Sequence, residues 1–227
     1  MAFNKEFLDF LMDSGALKFG DFVTKSGRNT PFFINTGIFS SGPELLRLSE
    51  FYADRIHESF GKDFDVLFGP AYKGIPLAVS VCMQLYSKYG TFVRYCSNRK
   101  EVKDHGDKGI LLGGPIKDGD RVLIIEDVTT AGTSIEETVP IIRAQGEVQI
   151  IGLCISVDRE ERGKGDKSAL EEISEKYGFS AVSIIRMREA VSHLSSMEKD
   201  VERLISDELL SRIDEYYEKY GVENGRK

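Results

Sequence analysis

An α/β fold with a mostly parallel central sheet is predicted for this 227-residue chain on three observations. Short apolar runs near 65–68, 121–125 and 148–157 have the near-continuous hydrophobicity of strands covered on both faces. They alternate with helical patterns near 75–88, 134–145 and 167–177, as in βα repeats whose helices cover a sheet. At two junctions, after Phe68 and after Ile125, a turn rich in Gly, Pro or Thr joins a strand's carboxyl end to a helix start.

The elements follow in order. Asn4 to Met12 reads as an amphipathic helix, with Phe7, Leu8, Phe10 and Leu11 offering apolar contacts. Phe19 to Val23 and Phe32 to Ile34 predict a short hairpin, and with it a small N-terminal hood over about 1–40 that parts of the C-terminal half complete. Residues 44–60 form a helix with Leu45, Leu48, Tyr52 and Ile56 on one stripe; strands are then expected near 65–68, 91–95, 121–125, 148–157 and 181–185. Residues 197–220 predict a last charged helix with Met197, Val201, Leu204 and Ile205 as its apolar stripe, and His57 and His193 are assigned to helix surfaces. No linker, repeat or low-complexity block interrupts the chain, so one domain over 1–227 is expected.

Composition narrows the function classes. A hydrophobic content of 41% supplies a core, while a net charge of −7 and a pI near 5.2 argue against a broad nucleic-acid surface. Cys82, Cys96 and Cys154 are widely spaced in apolar contexts, as expected of reduced thiols in a cytoplasmic protein, and they show no metal-ligand spacing. Charged residues break up the N-terminus, and no apolar run approaches the roughly 18 residues of a membrane span.

Residues 121–134, RVLIIEDVTTAGTS, carry the strongest chemical signal. The apolar run Val122 to Ile125 ends in Glu126-Asp127, and the loop Thr129-Thr130-Ala131-Gly132-Thr133 then opens a helix with hydroxyl donors, a glycine and free N–H groups. A phosphate fits such a loop, and the acids before it can accept hydrogen bonds from vicinal sugar hydroxyls or help hold a cation, which together describe a phosphorylated ribose. Taken alone, the same residues also read as an ordinary strand and turn with Thr133 or Ser134 capping the helix.

A second turn, Gly69-Pro70-Ala71-Tyr72-Lys73-Gly74-Ile75-Pro76, can form an anion nest of backbone N–H groups to which Lys73 adds a full charge, suiting a pyrophosphate. A third segment, 98–109, is polar and holds Arg99, Lys100, Lys103, Lys108 and His105; its composition matches a mobile lid over about 99–109 that closes on an anionic leaving group, or else a solvated hairpin tip.

With LKFGDFVTKSGR, FFINTG, FDVLFGPAYKGIPLA, NRKEVKDHG, VLIIEDVTTAGTS and ISVDREERG in this order, the chain resembles the orotate phosphoribosyltransferases, type I phosphoribosyltransferases of pyrimidine (UMP) synthesis, from about Leu17 to Ile185. EDVTTAGTS alone would mark some phosphoribosyltransferase, whereas AYKG, RKEVKDHG and DREERG together mark the orotate enzymes. The resemblance implies the type I phosphoribosyltransferase fold and a Mg²⁺-dependent reaction of orotate with 5-phosphoribosyl 1-diphosphate (PRPP), giving orotidine 5′-monophosphate and pyrophosphate. It further implies that Thr129, Thr130, Ala131, Gly132, Thr133 and Ser134, with Val128, hold the 5′-phosphate. Asp127 and Glu126 would face the ribose hydroxyls, and Tyr72, Lys73, Arg99, Lys100, Lys103 and His105 the diphosphate. Lys25, Phe33, Ile34, Thr130 and Arg159 would surround orotate, with Lys25 also reaching PRPP. Lys103 and Asp127 would be the catalytic residues, and Mg²⁺ would bind mainly through the substrate and water rather than a protein metal site. Finally, it implies a homodimer whose lid residues are shared between subunits. The chain departs from the family in carrying Glu126 where two Asp are common, and Phe33-Ile34 where some members have two aromatics.

Within this reading, Arg159 has a chemical reason to select orotate over uracil, because a planar guanidinium pairs with a carboxylate in two-pronged fashion. A phosphoribosyltransferase for another base would keep the Thr129–Ser134 loop but lack the lid motif and the Arg159 run. A non-catalytic PRPP-sensing regulator would need a DNA- or RNA-binding face, and no basic stripe is present. The length leaves no room for a second, barrel-type decarboxylase domain.

Overall fold

In the computed structural model, residues 4–24, 27–100, 110–129, 132–163, 165–196 and 205–222 are described. Helix α1 (Lys5–Asp13) begins where the Asn4 side chain accepts the Phe7 N–H at 3.0 Å, and it buries Phe7, Leu8 and Leu11. Strands β1 (Leu17–Val23) and β2 (Asn29–Ile34) pair antiparallel with Leu17 opposite Ile34, and a 3₁₀ turn at Thr36–Ile38 leads onward. Helix α2 (Gly42–Phe60) opens with a capping box: the Ser41 hydroxyl accepts the Glu44 N–H and the Glu44 carboxylate accepts the Ser41 N–H.

The alternating part follows as β3 (Val66–Phe68), α3 (Gly74–Tyr89), β4 (Arg94–Asn98), β5 (Leu111–Gly113), β6 (Arg121–Ile125), α4 (Thr133–Arg143), β7 (Gln149–Asp158), α5 (Ala169–Tyr177) and β8 (Ser180–Arg186). Helices α6 (Met187–Ser196) and α7 (Asp207–Tyr220) close the chain. Among the described residues the central sheet has the order β5-β4-β3-β6-β7-β8, parallel except for the edge strand β5.

Side-chain alternation divides the core. Leu67, Leu123 and Ile125 join one apolar cluster with α1, α2, α3, α6, α7 and the hairpin, while Val66, Phe68, Val122 and Ile124 face the other, completed by Ile135, Val139 and Ile142 of α4 and Ile173 of α5. Val122 to Ile125 are all fully buried, as a strand covered on both faces requires, and each such Leu or Ile contributes roughly 1.5–3 kcal/mol.

This order places the site. From β3 the chain crosses to β4 on one side, and β6 returns on the other, so strand order reverses between β3 and β6, with Phe68 level with Ile124. The loops leaving these two strands are therefore neighbours at one sheet edge, where ligands of open α/β sheets bind.

Several sequence expectations need correction. Of the helix expected over 197–220, the described part begins only at Asp207, as α7 with Ser206 at its N-cap, and Met197, Val201 and Leu204 lie outside the described residues; helix α6, which continues from β8 without a break, was not expected. Strand β5 was not expected, and β4 lies three residues later than the 91–95 run because Thr91 to Val93 form the turn after α3. His57 is half-buried, not a surface residue: its ring stacks on Tyr89 at 3.9 Å. His193 is likewise half-buried on α6. Cys96 and Cys154 are buried in strands and Cys82 is half-buried on α3.

Candidate active site

The turn after β3 is built on two glycines in contact. A Cβ at Gly69 would stand 2.6 Å from the Gly74 carbonyl carbon, and one at Gly74 would stand 2.6 Å from that of Gly69. The turn is tethered to β4 by Ala71, whose N–H donates to Asn98 Oδ1 at 3.0 Å, and the Ala71–Tyr72 peptide is cis. Tyr72 and Lys73 stand exposed at its tip, with Lys100 Nζ 5.2 Å from the Tyr72 ring. Arg99, at the end of β4, is held through Nε to the Leu111 carbonyl at 3.3 Å.

The turn after β6 is fixed through its backbone. The buried Tyr52 hydroxyl of α2 donates to the Glu126 carbonyl at 2.9 Å, and Ser156 donates to the Asp127 carbonyl through its N–H at 2.9 Å and its hydroxyl at 2.6 Å. Thr129 is buried and its hydroxyl accepts the Gly132 N–H at 3.1 Å. Gly132 itself is the N-cap of α4 at φ +73, so neither Thr133 nor Ser134 caps the helix and their hydroxyls are not spent on it. Val128 is half-buried, while Thr130 and Ala131 lie outside the described residues.

The two turns meet in an ion pair: Lys73 Nζ lies 2.8 Å from Asp127 Oδ2, which also accepts the Thr36 hydroxyl at 3.4 Å. Beside it, Thr36, Gly37, Phe39, Tyr52, Lys73 and Asp127 line part of a cavity of about 120 Å³. Tyr52, Ser156, Asn98 and Thr36 hold the site and were not singled out from sequence. Only Tyr52 carried a signal, a hydroxyl on an apolar stripe that must find a partner once buried.

Glu126 is buried, and burial, with the Asp127 charge next to it, pushes its carboxyl up to about 7, although the Ser134 hydroxyl opposes the shift. A folded-state value above the ordinary 4.5 means that the folded protein binds the extra proton. The associated stability is present below pH 4.5 and is lost as pH rises through about 7. Thermal unfolding of the ligand-free protein should therefore show a contribution of roughly 3 kcal/mol that fades between these limits and is absent from Glu126→Gln. Parallel pH profiles for the two proteins would refute this.

Of the residues expected around the base, Phe33, Ile34 and Arg159 are described, and they lie on or beside the hairpin. Phe33 is exposed and stacks on Phe22 at 5.4 Å, and Ile34 is half-buried. Asp158-Arg159-Glu160-Glu161-Arg162 is no solvated run: Arg159, Glu160 and Glu161 are all buried. The Arg159 guanidinium lies 4.6 Å from the Phe32 ring centre and donates to Glu161 Oε1 through Nε at 2.8 Å and Nη2 at 2.5 Å. Lys25, Lys103 and His105 lie outside the described residues.

Comparison with known proteins decides the family. A model described as the phosphoribosyl transferase domain matches residues 36–183. The orotate phosphoribosyltransferase of Lachnoclostridium phytofermentans is 59% identical over 221 residues, covering 97% of this chain and 98% of that one. The chain belongs to the orotate phosphoribosyltransferase family. The enzyme of that name from Clostridium acetobutylicum is also 59% identical, over 220 residues and 98% of its length. A 1.9 Å crystal structure of the Francisella tularensis orotate phosphoribosyltransferase superposes with a TM-score of 0.81 at 32% identity, covering 95% of this chain and 99% of that one. The fold is thus that of the type I phosphoribosyltransferases, and the chain is a pentosyl-transferring enzyme. Among the described residues no helix is long and apolar enough to cross a membrane.

Proposed function

We propose that this site transfers the 5-phosphoribosyl group of PRPP to orotate, giving orotidine 5′-monophosphate and pyrophosphate in de novo UMP synthesis, with the residues acting as follows. The observation that carries the residue roles is the meeting of a cationic turn and an acidic turn at the β3–β6 switch point, linked by Lys73 and Asp127 at 2.8 Å. The Val128–Ser134 loop takes the 5′-phosphate, Asp127 and Glu126 the ribose hydroxyls, and Tyr72, Lys73, Arg99 and Lys100 the diphosphate, joined by Lys25, Lys103 and His105. Orotate lies by Phe33, Ile34 and Arg159, with Lys25 and Thr130.

The bond from ribose C1′ to the diphosphate oxygen breaks, and its electron pair leaves with pyrophosphate. The bond from C1′ to the orotate ring nitrogen forms, and the proton that nitrogen carried passes to the departing pyrophosphate or to water. Positive charge growing on the ring is stabilised by Asp127 and Glu126, and negative charge on pyrophosphate by the cationic side chains, so no covalent nucleophile is needed. Mg²⁺, carried in mainly by the substrate, would supply further neutralisation of the leaving group's charge.

The test is Mg²⁺-dependent loss of orotate absorbance on adding PRPP, with uracil and hypoxanthine in parallel. Consumption of another base instead would overturn the reading of Arg159, and inactivity on all three would favour a PRPP sensor. The role of Lys103 predicts that Lys103→Ala lowers kcat by about 100-fold or more with an unchanged melting temperature. An unaffected kcat would remove Lys103 from the catalytic group.

The same reading includes a homodimer with lid residues from Arg99 to His105 acting partly across the interface. It is supported by Met83, Tyr86 and Phe92, large apolar side chains 68%, 64% and 82% exposed on α3 and the turn after it. Sedimentation at the mass of one chain would sink it. Because phosphorylated substrates do not cross membranes unaided, the enzyme is placed in the cytoplasm, which cell fractionation checks.

A further inference from the structure

The residue that would select orotate is already in use. Both Arg159 donors that face Glu161 converge on one oxygen, Oε1, and Nη2 also donates to Thr30 Oγ1 at 3.3 Å. Nη1 is left without an acceptor among the described residues. Glu161 is itself held from a distant part of the chain: the Tyr216 hydroxyl of α7 donates to the same Oε1 at 2.7 Å, and Arg28 Nη1 lies 3.3 Å from Oε2. Tyr217, the next residue of α7, donates to the Arg159 carbonyl at 3.0 Å. Tyr216 and Tyr217 also pack against Phe32, the ring beneath the guanidinium. Two guanidinium groups share the Glu161 carboxylate here, so that carboxylate is divided between Arg159 and Arg28.

We infer that Glu161 and Tyr216 are positioning residues for base selection. They fix which edge of Arg159 is committed inside the protein and which is offered to the carboxylate of the base, making helix α7 part of the specificity machinery. The physical reason is orientation. A guanidinium on a long side chain loses much of its entropy when it binds, unless that entropy has already been removed by a buried partner. Glu161 alone could rotate; the Tyr216 hydroxyl and Arg28 pin both of its oxygens.

This inference rests on reading Arg159 as the contact to orotate, so Arg159→Ala is measured alongside Tyr216→Phe and Glu161→Gln. Tyr216→Phe keeps the ring packed on Phe32 and removes only the hydroxyl. It should raise the KM for orotate about 5-fold to 10-fold, and Glu161→Gln about 10-fold or more, with KM for PRPP and kcat within about twofold. If Arg159→Ala raises the orotate KM while the two partner variants leave it unchanged, the positioning role is wrong and the contact stands. If Arg159→Ala itself has no effect, the underlying assignment fails. A merely structural role would lower the melting temperature and raise both KM values together, and that pattern in the folded Tyr216→Phe protein would also overturn the inference.

Discussion

Asp127→Asn is expected to lower kcat by about 100-fold or more while leaving the protein folded. The side chain is 17% exposed at the edge of the switch point, and its main chain is held independently by Tyr52 and Ser156, so the amide should occupy the same place. What the substitution removes is charge, at the position that the proposed mechanism sets beside the developing ring charge. The lost pairing with Lys73 should matter little to stability, because Lys73 is 60% exposed and solvent-facing pairs contribute roughly 0–1 kcal/mol. A kcat within about threefold of the parent, measured at saturating PRPP and orotate, would exclude Asp127 from the reacting centre.

Gly69→Ala tests the other half of the site. No unusual φ is at stake at Gly69; the constraint is contact, since the added methyl would meet the Gly74 carbonyl carbon at 2.6 Å and the Ala78 Cβ at 2.9 Å. Backbone on the far side of the turn must move, which for a tightly packed position costs about 1–3 kcal/mol and should lower the melting temperature by several degrees. The same movement displaces Tyr72 and Lys73 from the place where a diphosphate would lie. KM for PRPP should rise about tenfold or more, with KM for orotate changed far less. If the folded variant binds PRPP normally, the turn is not the diphosphate cradle.

The two turns that meet at the switch point were legible because they are local. A strand, a Gly-bearing turn and a helix start are contiguous in sequence, and the positions of Lys73, Asp127 and Gly132 follow from where the strands end. The parallel sheet was legible for the same reason, through the buried runs at Val122 to Ile125 and 148–157. What escaped was of long range. Tyr52 reaches the acidic turn across 74 residues and Tyr216 reaches Glu161 across 55, contacts that no period or motif encodes. Helix α6 was missed because it follows Arg186 directly, without the glycine or proline that usually marks such a boundary. Strand β5 is only three residues long, too short to show alternation.

Lys73 and Asp127 are each other's partners in the structure, so a ligand that takes either one must exchange it out of that pair. Under the roles proposed above, each of these groups faces a different part of PRPP, so a ligand that takes one of them leaves the other to solvent. A fragment such as pyrophosphate can satisfy the lysine but leaves the acid uncompensated, and ribose 5-phosphate does the reverse. Only the intact molecule exchanges both partners at once. With Lys73 60% exposed the pair is weak, so under the proposed roles this double exchange favours the intact molecule over its fragments by only about 0–1 kcal/mol.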